Sequence, residues 1–199
     1  LATTLFLLRH AAHGELHRLC GRLPGIALGE AGLAQAGRLG ARLRREALEA
    51  LYSSPLQRCR QTAAAIGDRL ALTPEIEPDA TEIDVGAWSG QRFDALAGEP
   101  GWEAWNAERD RARPPGGESM AEVTARIIGL IERLRQRHPD GRIALVSHAD
   151  VIKAAVCALL GLGIAAHARF EVAPASLTAC ALWPGGGKLL RLNETGEDA

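Results

Sequence analysis

Thr4-Leu5-Phe6-Leu7-Leu8-Arg9-His10 is an apolar run that stops on a cation and an imidazole. Its shortness and abrupt polar end read as a strand rather than a helix. The same shape recurs twice: Leu51-Tyr52 runs into Ser53-Ser54-Pro55-Leu56-Gln57-Arg58, and Ala144-Leu145-Val146 runs into Ser147-His148. Between these runs lie longer patterns that predict helices near 30–47, 56–70, 119–137 and 149–160. Leu56, Cys59, Ala63, Ile66 and Leu70 form the apolar stripe of the second, and Met120, Val123, Ile127, Leu130 and Leu134 that of the third. Short strands alternating with helices predict an α/β fold in layers. Ligands of open α/β sheets sit outside the carboxyl ends of the strands. If the three strands are parallel neighbours, Arg9, His10, Arg58 and His148 converge on one crevice.

The local chemistry of these strand ends suits an anion. Ser54 is a good N-cap and Pro55 fits the first helical position, which puts Arg58 on the opening turn. A guanidinium and free backbone amides then face the same point, and His148 lies likewise where a strand turns into a helix. Singly, a strand-end Arg-His reads as a solvated terminus, a Ser-Pro as a cap and a Ser-His as structural. Three in one context point to a phosphate site.

With 199 residues, 47% hydrophobic and 24% charged, the chain is long enough for one core, and a single domain over 1–199 is expected. A formal charge of -1 gives no drive toward nucleic acid or anionic membrane, so the expected partner is a small molecule. Cys20, Cys59, Cys157 and Cys180 form no C-x-x-C pair, which fits buried thiols and a cytoplasmic location. Leu1–Leu8 is apolar but lacks a basic leader and is cut off by Arg9, so no targeting or membrane-spanning segment is expected; the missing initiator Met suggests trimmed first residues. No heptad or long apolar stripe is legible, which leaves the oligomeric state open, a homodimer included.

Residues 72–118 hold five of the ten prolines and three of the four tryptophans, and read as a loop-rich excursion over the site. Trp88, Trp102 and Trp105 either wall the leaving-group side of a cleft or staple the excursion to the core. Ser119-Met120-Ala121-Glu122 fits a capping box. Leu177 to Leu192 reads as a hairpin around Pro184-Gly185-Gly186-Gly187. His13 and His17, with Glu15 between them, would share a face as metal ligands on a helix, but Gly14, Gly21, Pro24 and Gly25 argue for a loop and no metal is expected. His138 and His167 read as surface residues.

Leu8-Arg9-His10, Ser53-Ser54-Pro55-Leu56-Gln57-Arg58-Cys59-Arg60-Gln61-Thr62-Ala63, Glu82-Ile83-Asp84-Val85-Gly86-Ala87-Trp88-Ser89-Gly90, Pro115-Gly116-Gly117-Glu118-Ser119 and Val146-Ser147-His148-Ala149-Asp150 occur in this order. Together they resemble the successive signatures of the histidine phosphatase superfamily, in its phosphoglycerate mutase-like branch, over roughly residues 4 to 160. The resemblance implies a three-layer α/β/α sandwich with a mostly parallel central sheet. It implies that His10 is the phosphorylated nucleophile, that Arg9, Arg58 and His148 bind the phosphoryl oxygens, and that Glu82 donates the proton. No cofactor is implied.

Such a set fits phosphoryl transfer because the ester's anionic oxygens repel a nucleophile until cationic donors spread their charge. The expected activity is hydrolysis of a small phosphorylated metabolite. A cofactor-dependent mutase and a non-catalytic phosphate-binding domain are the alternatives. Residues 83 to 147 are shorter than the insertion mutases tend to carry. Glycine usually follows the Arg-His pair in such chains, whereas Ala11-Ala12-His13-Gly14-Glu15 follow here. The asparagine commonly found a few residues later has no evident counterpart among Leu16, His17 and Arg18.

Overall fold

The computed structural model describes residues 2–195. Its strands are β1 (Thr3–Arg9), β2 (Ala50–Ser53), β3 (Glu75–Ile76), β4 (Arg142–Ser147), β5 (Leu177–Trp183) and β6 (Gly186–Glu194). Its helices are α1 (Glu30–Leu43), α2 (Gln57–Leu70), α3 (Phe93–Leu96), α4 (Pro100–Ala107), α5 (Met120–Arg137) and α6 (Ala149–Leu159). The strands make one sheet in the order β3-β2-β4-β1-β5-β6. The first four of that order run parallel, and β5 and β6 close it as an antiparallel hairpin.

Successive side chains of a strand point to opposite faces, and the core divides accordingly. Leu5, Leu7, Ile143 and Leu145 pack with α5, α6 and the excursion; Phe6, Leu8, Ala144 and Val146 pack with α1 and α2. A three-layer α/β/α sandwich results, as expected. The three predicted strand ends lie side by side: Arg9 pairs with Ser147, and Ser53 with Val146. The ladder runs on one residue further, since the His10 amide donates to the Ser147 carbonyl at 3.0 Å and the Ser54 amide to the Val146 carbonyl at 2.9 Å.

Several local expectations hold and some do not. The Ser119–Glu122 capping box starts α5. Ser54, however, does not cap α2. That helix starts at Gln57 after an extended Leu56, and the Ser54 hydroxyl is committed to His148 instead. The excursion is not wholly loop, because α3, α4 and the two residues of β3 lie within it. His138 is half-buried rather than exposed, bonded to the Tyr52 hydroxyl at 2.7 Å and to Glu49 at 2.6 Å, and His167 is bonded to the Ile164 carbonyl at 3.0 Å. All four cysteines are buried and free. Among the described residues, no helix is long and apolar enough to cross a membrane.

At the amino-terminal edge of the sheet, Glu46 is a buried carboxylate shared by Arg42, Arg142 and Arg191 at 2.6, 2.7 and 2.8 Å. Arg142 and Arg191 also flank the Phe6 ring at 5.2 and 5.5 Å. Hydrogen bonds from Arg191 outweigh burial and hold the Glu46 carboxyl down at about 2. An acid depressed in the folded state contributes stability above its unfolded value and loses it as pH falls through the folded one. Glu46→Ala should therefore reduce unfolding free energy by about 3 kcal/mol at neutral pH by stranding the arginines. In urea titrations the gap between wild type and variant should shrink as pH falls from 4.5 toward 2.

Candidate active site

The site lies at the carboxyl ends of β1, β2 and β4. His10 follows β1 and is 4% exposed. Its Nδ1 lies 2.8 Å from the Ala11 carbonyl, which can only accept, so Nδ1 carries the proton and Nε2 keeps its lone pair. Burial, then the Arg58 guanidinium, push the imidazole's pKa well down, which keeps the ring neutral.

Arg58, on the first turn of α2, is 2% exposed. Its Nη2 donates to the Gly21 carbonyl at 2.8 Å and approaches His148 Nδ1 at 3.3 Å. A guanidinium cannot accept, so His148 takes that bond on Nδ1 and donates from Nε2 to the Ser54 hydroxyl at 2.8 Å. His148 caps α6, is fully buried, and has its pKa lowered by burial and by the neighbouring His10 and arginines. The His10 and His148 ring centroids stand 5.2 Å apart. Arg9 donates from Nη1 to the Val172 carbonyl at 2.7 Å. Among the described residues, Nε of Arg9 and Nε and Nη1 of Arg58 are buried without any hydrogen-bond partner. Unmatched buried cationic donors beside a lone-pair nitrogen make a receptor for an anion.

Glu82 reaches the same place from the excursion. Its Oε1 accepts from the Ile83 amide at 2.9 Å, and Oε2 lies 3.7 Å from His148 Nδ1. Burial, then the Asp150 carboxylate, push its carboxyl up to about 7. Its backbone is held by cations that the sequence left unremarked: the Glu82 carbonyl accepts from Arg22 Nε at 2.7 Å and Arg126 Nη2 at 3.2 Å, while Arg126 Nη1 takes the Asp79 and Thr81 carbonyls. Glu118 binds both arginines. A Cβ on the neighbouring Gly117 would stand 2.3 Å from the Asp84 carbonyl, so only glycine admits this approach. Pro115–Ser119 thus supports the segment carrying Glu82.

Trp88 and Trp105 are buried in the core, and Trp102 meets Trp88 edge-on at 5.4 Å, which is the stapling arrangement of the two that their sequence allowed. Arg109 lies over Trp105 at 5.0 Å and pairs with Asp150 at 2.6 Å, joining the excursion to the start of α6. Cys59 lies 3.4 Å from His148 Nε2, but burial pushes its thiol far up and keeps it protonated. His13 and His17 are on a loop as expected, and among the described residues no group of three or more His, Cys, Asp or Glu side chains could hold a metal ion. Sequence reasoning missed Ser54 as the partner of His148, and Thr62, whose hydroxyl accepts from the Ala11 amide at 3.0 Å. Thr62 was findable, being one turn beyond Arg58 in the same motif.

The comparisons agree with this geometry. Phosphoserine phosphatase 1 of Hydrogenobacter thermophilus is 34% identical over 196 residues, covering 96% of this chain and 92% of that protein. The bifunctional protein Rv2228c of Mycobacterium tuberculosis is 34% identical over 98% of this chain, which spans only 54% of its length. Among solved structures, a mycobacterial glucosyl-3-phosphoglycerate phosphatase, Rv2419c, complexed with VO3, superposes with a TM-score of 0.88 at 29% identity, over 96% of this chain and 99% of that one. The family model described as histidine phosphatase superfamily, branch 1, matches residues 5–195, and the chain belongs to that superfamily.

Proposed function

We propose that this chain is a phosphomonoesterase acting on a small phosphorylated metabolite through a phosphohistidine at His10. The observation that carries the reading is the pairing of the free His10 Nε2 with unmatched buried donors on Arg9 and Arg58. In the first step the Nε2 lone pair attacks phosphorus, the ester P–O bond breaks, and the departing alkoxide takes the Glu82 proton. In the second step ionised Glu82 takes a proton from water, the water oxygen bonds to phosphorus, and the P–N bond breaks to release phosphate and neutral His10. Arg9 and Arg58 hold the transferring oxygens throughout; His148, to which the resemblance gives the same task, has both ring nitrogens committed to Arg58 and Ser54 and instead steadies the Arg58 guanidinium, and no metal or cofactor enters the scheme. Phosphatase names among the relatives support hydrolysis. The near-neutral charge and four free cysteines support a small-molecule partner and a cytoplasmic location.

The test is release of inorganic phosphate from p-nitrophenyl phosphate and O-phosphoserine by wild type in EDTA, with rapid quenching to trap acid-labile phosphoprotein. Chelator-resistant turnover through such an intermediate is expected. Net phosphate release only as a trace, with isomerisation dependent on a bisphosphate primer, would make the chain a mutase. Neither activity would leave a phosphate-binding domain.

A further inference from the structure

The loop after His10 carries Ala11-Ala12-His13 where the resemblance leads one to expect glycine directly after the Arg-His pair, and the structure holds it firmly. The Ala11 amide donates to Thr62, the Ala12 amide to Gln35 Oε1 at 3.0 Å, and the Leu28 amide to Gln61 Oε1 at 2.8 Å, with His13 and Leu28 joined by an antiparallel bridge. The Ala12 carbonyl lies so close to Gly32 of α1 that a Cβ there would stand 1.9 Å from it. Both helices on this side of the sheet thus fix the backbone that carries His13.

That backbone sets the His13 ring against the nucleophile. The two imidazole centroids are 5.6 Å apart, stacked at 27°. His13 Nδ1 lies 3.2 Å from the Glu15 amide, which can only donate, so Nδ1 accepts and the neutral ring carries its proton on Nε2. The stacked rings therefore present opposite tautomers: His10 offers a lone pair at Nε2 and His13 an N–H. Among the described residues, His13 Nε2 has no hydrogen-bond partner. His13 also shares the cations of the site, because burial and then Arg58 and Arg9 lower its pKa, against the opposing pull of Glu15.

We propose that His13 is a phosphoryl-binding residue, whose Nε2–H donates to an oxygen of the phosphoryl group entering or carried on His10. The proposal rests on the reading of His10 as the nucleophile, and its test separates the two.

The experiment measures competitive inhibition by inorganic phosphate of p-nitrophenyl phosphate hydrolysis in wild type, His13→Phe and His13→Gln, with thermal melting to verify folding. Phenylalanine keeps a flat ring on His10 without a donor; glutamine supplies an N–H at similar reach without the ring. Loss of a hydrogen bond to an anion should raise the phosphate inhibition constant about tenfold or more in His13→Phe, and His13→Gln should recover most of it. A phenylalanine variant that matches wild type overturns the proposal for His13 and leaves His10 standing. Glutamine as impaired as phenylalanine also overturns it, since stacking would then be the ring's contribution. A wild type that neither turns over nor binds phosphate overturns the reading of the whole site, His13 included.

Discussion

His10→Ala should lower kcat for p-nitrophenyl phosphate by about 10⁴-fold or more, because no other side chain offers a lone pair at that position. His148 cannot substitute: it spends Nδ1 on Arg58 and Nε2 on Ser54. His13 Nε2 carries a proton. The anion receptor should survive, since Arg9 is held by Val172, and Arg58 by Gly21 and by His148, not by the His10 ring. The expected signature is therefore a collapse of kcat with calorimetric phosphate binding retained, and no acid-labile phosphoprotein after quenching. Activity within tenfold of wild type would remove His10 as the nucleophile.

Glu82→Gln should act through the leaving group. An alkyl alkoxide needs the Glu82 proton, so kcat/KM for an alkyl phosphate should fall about 10²- to 10⁴-fold, whereas p-nitrophenolate departs unaided and should be far less affected. Equal losses on both esters would refute proton donation. The pH dependence has a definite sign. The donor must be protonated in the free enzyme, and with its carboxyl raised to about 7, wild-type kcat/KM should fall as pH rises through that value. The limb should vanish in Glu82→Gln. Asp150→Asn removes a negative charge that raises the Glu82 pKa, and should move the limb to lower pH.

The framework was legible because its carriers are continuous. Leu5–Leu8 and Ile143–Val146 are buried on both faces, so their apolar runs announce strands, and the residues after them are placed by the parallel register. Ser54 misled because Ser-Pro before a helix serves equally as a cap or as a strand-end hydroxyl, and only the position of His148 decides between them. β3 was invisible because two exposed residues carry no periodicity. Arg126 was missed for the opposite reason: an arginine on a helix reads as solvated, yet this one lies inward across the carbonyls of residues 79, 81 and 82. The tryptophans left open whether they wall a cleft or staple the excursion, because the partner that joins the excursion to α6, Asp150 through Arg109, comes from a segment distant in sequence.

The position of β1 also governs when this protein becomes competent. The first strand of the chain lies in the middle of the sheet, yet its neighbours there, β4 and β5, begin at Arg142 and Leu177. During synthesis the apolar segment bearing His10 must therefore wait, unpaired, for most of the polypeptide to emerge, which makes folding slow and exposes a sticky edge to chaperones or aggregation. Once those strands close around it, His10, the arginine donors beside it and the last hairpin assemble together, so the onset of turnover during refolding should coincide with completion of the sheet.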